Sequence, residues 1–251
     1  MELRTLGSTG LRVSLLGLGT VRFGRSEGLK LAHPSTLPGD DEIDRLVGLA
    51  LDLGVNLFDT APAYGSSEER LGRALAGRRD GVVLCTKAGE AFAAGRSNFD
   101  FRPASIRASL EASLRRLRTD HADILLIHSD GIAEGPEKFG PAMAEVVALK
   151  ARGLVRAAGF SCKTPEGGAM AAEALDLVML TLNRADMSLA PLLDLLAARG
   201  KAALVKKPLD GGREPDPAAA LRLLAGLPSV GAILVGTLSP THLAEMATAL
   251  A

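Results

Sequence analysis

The chain has 251 residues, 47% of them hydrophobic, with 29 Lys and Arg against 29 Asp and Glu. Zero formal net charge removes the basic field that a nucleic-acid surface needs, and no stripe of interleaved bases and aromatics occurs. Met1-Glu2-Leu3-Arg4-Thr5 lacks the apolar core of a signal peptide, no run of about 18 apolar residues marks a membrane span, and Cys85 and Cys162 lack metal-ligand spacing, so we expect a soluble cytoplasmic protein without a bound metal.

Taken in chain order, the segments around Arg4 and Arg12-Val13 flank Gly7-Ser8-Thr9-Gly10 and read as a hairpin. Residues 13–20 read as a buried strand, and the Gly-, Pro- and Ser-rich stretch 22–39 as a long irregular loop, functional or mobile. A steady alternation follows. Helices are predicted over 41–53, 67–75, 103–117, 141–151, 165–174, 189–199, 217–224 and 240–250. Strands are predicted over 54–59, 82–87, 122–128, 155–161, 177–182, 202–206 and 230–235. Eight strand–helix units with wholly apolar strands imply a parallel sheet covered by helices. About 250 residues is the usual size of one (β/α)8 barrel, so 1–251 reads as a single barrel domain of the TIM type. No Gly-x-Gly-x-x-Gly opens a helix after an early strand, which removes the main signature of an open dinucleotide-binding sheet.

The stretch 54–65 organises the rest. Its apolar run ends at Asp59, breaks at Pro62 and Gly65, and carries Tyr64, the only tyrosine in the chain. Leu57 and Asp59 lie two apart and share a strand face; so do Cys85 and Lys87, and Leu126 and His128. Asp59, Lys87 and His128 thus end three successive strands on the face of a core-type residue, where barrels place their chemistry. A purely structural alternative has Tyr64 packing its loop and Asp59 capping a helix that opens at Ser66-Ser67-Glu68-Glu69.

Asp59-Thr60-Ala61-Pro62-Ala63-Tyr64-Gly65 resembles the signature of the aldo-keto reductase family. Lys87 after Thr86 and His128 after an Ile-Leu-Leu-Ile strand resemble its other active-site positions, and Gly17-Leu18-Gly19-Thr20, Gly159-Phe160-Ser161 and Gly236-Thr237-Leu238-Ser239-Pro240 resemble further landmarks in order. The resemblance implies an eight-stranded barrel that reduces small carbonyl substrates with a nicotinamide cofactor, NADP or alternatively NAD. It implies that Tyr64 gives its proton to the carbonyl oxygen, that Asp59 pairs with Lys87, and that His128 orients the carbonyl or relays the proton. A free phenol titrates near pH 10, and a neighbouring ammonium lowers that value, so Lys87 is expected to make Tyr64 the better acid.

The same resemblance implies cofactor contacts at Thr20, Ser161, Cys162, Met179, Lys206, Pro208, Leu209, Gly236, Thr237, Ser239 and His242. Several depart from the family pattern. Cys162 stands where Asn is usual, Met179 where Gln is usual, and Lys206 where an aromatic ring is usual. Gly236 and His242 stand where Lys and Arg are usual, and Met246 where Asn is usual, so discrimination between NADP and NAD is expected to be weak. Lys206 and Lys207 could instead place cations near phosphate or substrate, and Thr237 and Ser239 could simply cap the last helix. The chain stops at Ala251, soon after that helix, which predicts an open substrate site. Two other functions remain in view: a cofactor-binding sensor or partner subunit with vestigial turnover, and a Schiff-base enzyme with Lys87 as nucleophile. Oligomeric state is left open.

Overall fold

The structure is a computed structural model that describes residues 1, 3–29, 31–32 and 36–251. The predicted loop 22–39 therefore lies partly outside the described residues. The chain begins with an antiparallel pair, β1 (Leu3–Thr5) and β2 (Arg12–Ser14). Then follow β3 (Leu16–Gly19), the one-turn α1 (Val21–Gly24), α2 (Asp40–Asp52), β4 (Leu57–Asp59), α3 (Ser67–Ala74) and β5 (Val83–Ala88). A second hairpin, β6 (Glu90–Ala93) and β7 (Arg96–Phe99), precedes α4 (Pro103–Leu117), β8 (Ala122–His128), α5 (Pro136–Ala151) and β9 (Val155–Ser161). The chain closes with α6 (Pro165–Ala174), β10 (Leu177–Thr181), α7 (Pro191–Ala198), β11 (Ala202–Lys206), α8 (Pro217–Ala225), β12 (Val230–Val235) and α9 (Pro240–Ala249).

Strands β3, β4, β5, β8, β9, β10, β11 and β12 pair in parallel, and the β12–β3 pairing closes the barrel. Strand alternation divides the apolar side chains between two cores. Phe58, Leu84, Leu125, Phe160, Leu180 and Val205 face outward against the helices. Leu57, Cys85, Leu126, Leu177, Met179, Leu204 and Leu234 fill the interior. Interior packing requires two glycines. A Cβ on Gly17 would collide with Leu234 and Leu57, and one on Gly159 with Leu126 and Leu177. Leu6, Leu11 and Val13 of the first hairpin join the interior core and plug the amino-terminal end, so the carboxyl end is left for a ligand.

Two expectations change, and one element is new. The strand over 13–20 is two strands, because the Ser14 hydroxyl donates to the Leu16 carbonyl at 2.6 Å and Ser14 N donates to Asn56 Oδ1 at 2.7 Å, turning the chain from plug to wall. The helix expected over 141–151 starts at Pro136: a first-turn proline suits a helix start, and Pro141 removes only one further backbone bond. The β6–β7 hairpin was not anticipated. It turns through Ala94 and Gly95, both at positive φ, and alanine there is a poor signal for such a turn.

Candidate active site

Asp59 ends β4, where Thr20 secures it: both the Thr20 amide and its hydroxyl donate to the Asp59 carbonyl at 2.9 Å. The chain then makes a single 3-10 turn, Pro62–Tyr64, which lifts Tyr64 over the mouth. Lys87, on the interior face of β5, is 1% exposed. Its ammonium donates to Asp59 Oδ1 at 2.6 Å and to the Thr60 carbonyl at 2.9 Å, and lies 4.8 Å from the centre of the Tyr64 ring. The His128 ring, at the end of β8, meets Tyr64 edge-on at 6.3 Å and 88°. The four residues predicted to carry the chemistry are therefore together at the carboxyl mouth, and Asp59 pairs with Lys87 instead of capping a helix.

Burial opposes the charge on Lys87, but Asp59, Tyr64 and Cys85 outweigh it and hold the ammonium above its ordinary range. Tyr64 differs from expectation. Burial pushes its phenol up to about 12; Lys87 pulls downward as foreseen, but Asp59 partly cancels it and desolvation wins. Lys87 therefore limits the rise without producing a net fall.

A residue that sequence reasoning missed completes the group. Glu90, the first residue of β6, brings Oε2 to 2.8 Å from His128 Nδ1, and its Oε1 accepts from the Ser97 hydroxyl at 2.6 Å. The Glu90 contact lies off the ring N–H axis, so the carboxylate charge beside Nδ1, more than an aligned hydrogen bond, acts on the ring. Burial pushes Glu90 up, yet His128 and Ser97 together bring it down to about 2. His128 falls below its ordinary value because burial, Lys87 and Lys206 outweigh the support of Glu90. The only sequence signal for Glu90 was a carboxylate three residues beyond Lys87 across Gly89.

The expected cofactor contacts separate into two sets. Lys206 reaches from β11 across β10 to β9, donating to Ser161 Oγ at 2.8 Å and to the Cys162 carbonyl at 3.0 Å. Burial, with Lys207, Lys163 and Lys87 nearby, brings the Lys206 ammonium down to about 8 against an opposing pull from Cys162. Gly236 and His242 are exposed and reachable from the mouth side of β12 and α9. Other side chains are enclosed. Thr20 is spent on Asp59 and Ser67, Cys162 packs in the outer core with its thiol pushed up to about 12 by burial, and Met179 is 1% exposed in the interior. Pro208 is buried, Leu209 packs on the outer core, and Met246 is buried. Ser239 caps α9 by accepting from the His242 amide at 3.3 Å, and Thr237 accepts from the Ser239 amide at 3.0 Å. Local packing and hydrogen bonding thus already engage the side chains of Thr20, Cys162 and Met179.

A closed parallel barrel thus gathers Asp59, Lys87, Tyr64 and His128 at its carboxyl mouth, the end where barrel enzymes place their chemistry. The Aldo/keto reductase family matches residues 15–214, and the chain belongs to that family. A Pseudomonas aeruginosa crystal structure described as an aldo-keto reductase is 46% identical, with 99% of this chain and 94% of that chain covered at a TM-score of 0.91. An aldo-keto reductase from Bacillus halodurans, in its holo form, shares the fold at 24% identity and a TM-score of 0.86, covering 99% of this chain and 90% of that one. Among curated relatives, the aldo-keto reductase YhdN of Bacillus subtilis is 35% identical over 64% of this chain and 47% of its own length. L-galactose dehydrogenase of Arabidopsis thaliana is 33% identical over 64% of this chain and 48% of its own. The chain spans about half the length of these curated relatives.

The mouth suits a dinucleotide in its charges more than in its apolar contacts. Lys206 has no carboxylate at ion-pair distance among the described residues, so its charge is available to a phosphate or amide oxygen. No aromatic side chain stands at the Lys206 position. Among the described residues no helix is long and apolar enough to cross a membrane, and no cluster of potential metal ligands occurs.

Proposed function

We propose that this chain reduces small aldehydes or ketones to alcohols, with Tyr64 as the proton donor and NADPH or NADH as the hydride source. The observation that carries this reading is the convergence of Tyr64 and His128 on the buried Asp59–Lys87 pair at the open end of the barrel. A bound nicotinamide cofactor supplies the hydride; Ser161, Lys206, Gly236, Thr237, Ser239 and His242 are the groups that would hold it, those of 236–239 through backbone.

Tyr64 gives its O–H proton to the carbonyl oxygen. The phenolate left behind faces the Lys87 ammonium, whose attraction for it grows as the proton leaves, so the pair favours the transition state over the resting site. Asp59 keeps Lys87 protonated, which also argues against Lys87 as a Schiff-base nucleophile. His128 orients the carbonyl or resupplies Tyr64. Residues 236–250 contain no arginine, so we expect only a small preference for NADPH over NADH. Enclosure of Cys162 and Met179 favours a second reading, in which the barrel binds cofactor as a sensor or partner subunit with little turnover.

Tyr64→Phe separates the two. Loss of a positioned acid costs roughly 10²- to 10⁴-fold in turnover. The titration of nicotinamide fluorescence should meanwhile be unchanged, since the phenol is not among the groups assigned to the cofactor. Equal turnover in both proteins would remove Tyr64 as donor, and absence of carbonyl reduction despite tight cofactor binding would favour the sensor.

A further inference from the structure

The β6–β7 hairpin lies outside the eight-unit repeat, yet it is fastened to the turn that carries Tyr64. The Arg25 guanidinium sits 3.5 Å over the Phe92 ring of β6 and donates to the Ala63 carbonyl at 3.1 Å, tying hairpin to turn. This fastening delivers Glu90, with its side chain 9% exposed, to His128. Ser97 from β7 holds the other carboxylate oxygen. The remaining groups around His128 are Lys87 on β5, Lys206 on β11 and the Tyr64 phenol, with Ser161 opposite it on β9. Among the described residues that act on the ring, Glu90 is the carboxylate in direct contact; Lys87, itself paired with Asp59, and Lys206 are the cations, and Lys163 lies near Glu90.

We propose that Glu90 is a positioning residue for proton transfer, holding His128 with Nδ1–H toward the hairpin and Nε2 toward Tyr64, and supporting the imidazolium whenever the ring carries a second proton. The role in turnover rests on the reading of Tyr64 as donor. After Tyr64 has given its proton away, His128 Nε2–H passes a proton to the phenolate oxygen; the ring returns to its neutral form and takes a proton from solvent in the next cycle. Without Glu90, burial and the two ammonium groups would leave the ring no counter-charge and no fixed tautomer. The downward displacement of His128 and the depression of Glu90 agree with this balance.

The test is nitrogen NMR of the imidazoles in the ligand-free protein, which has four histidines, with His128 assigned by comparison with His128→Asn. In wild type, the Nδ1-protonated tautomer should dominate when the ring is neutral. Glu90→Gln should lower the titration midpoint of His128 by about one pH unit, a tenfold loss of proton affinity, and mix the tautomers; Glu90→Asp, which keeps the charge, should recover most of the midpoint. The His128-dependent limb of the kcat profile should move to lower pH with it. If Glu90→Gln does not fold, Arg25→Ala, which releases the hairpin, should lower the midpoint in the same direction. An unchanged midpoint and tautomer in the folded variant would overturn the proposal. Ring titration needs no turnover, so a shift seen in a chain that reduces no carbonyl would count against the proposed function alone.

Discussion

Lys87 and Lys206 are two lysines of one barrel mouth with opposite electrostatic settings. Lys87 has Asp59 at 2.6 Å and keeps its charge in a nearly dry site. Among the described residues Lys206 donates to neutral oxygens only, and burial takes its ammonium from an ordinary 10.5 to about 8. Because the folded value is below the unfolded one, the unfolded chain binds more protons between pH 8 and 10.5, and the stability forfeited at neutral pH is recovered as pH rises through that window. Lys206→Met should therefore raise Tm at pH 7, with the gain shrinking toward pH 10.5, as thermal melts at a series of pH values would read. A gain at neutral pH accompanied by weaker NADPH binding would mark Lys206 as a charge kept for a ligand. A Tm unchanged across the series would remove that view.

At the scale of elements, the placement of Tyr64 depends on two backbones meeting without side chains. A Cβ on Gly24, at the end of α1, would overlap the Tyr64 carbonyl and the Ser66 and Ser67 amides, and a Cβ on Gly65 would overlap the Gly24 carbonyl. Gly65 also has φ +61 and ψ −124, a conformation closed to other residues in practice. Gly65→Ala should thus push the Tyr64 turn away from Lys87. We expect turnover to fall at least about tenfold, since near-ångström displacement of a reacting group costs that much or more. Far-UV circular dichroism should remain that of the barrel. Full activity would mean that the turn tolerates a shift that this geometry forbids.

Over the whole molecule, the candidate site and the hairpin plug occupy opposite ends of the barrel. Leu6 is fully buried in the plug, against Gly231, where an added Cβ would collide with it. Leu6→Ala should cost about 2–5 kcal/mol, the usual range for a buried leucine. For a chain of this size each kcal/mol shifts Tm by roughly 2–4 °C, so a clear drop is expected. Activity at 25 °C should stay within about twofold, because the plug closes the end of the barrel opposite Asp59, Tyr64, Lys87 and His128. Parallel loss of activity at a temperature where the variant is folded would show coupling between the two ends.

The apolar runs 122–128, 202–206 and 230–235 match β8, β11 and β12 because each is bounded by polar residues or Gly, and such limits are local properties of the chain. The same period-two logic made Asp59, Lys87 and His128 readable as interior strand ends, and the eight-fold repeat made the barrel readable. Tertiary structure decided what local chemistry cannot express. Cys162 lies one residue past the end of β9, where alternation no longer says which way a side chain turns, and it entered the outer core. Glu90 reached His128 only because a hairpin with an unpromising Ala-Gly turn was fastened to the Tyr64 turn by Arg25. The acidity of Tyr64 follows from burial set against Lys87 and Asp59. Residue types made all three groups legible; their balance depends on distances that exist only after the barrel has closed.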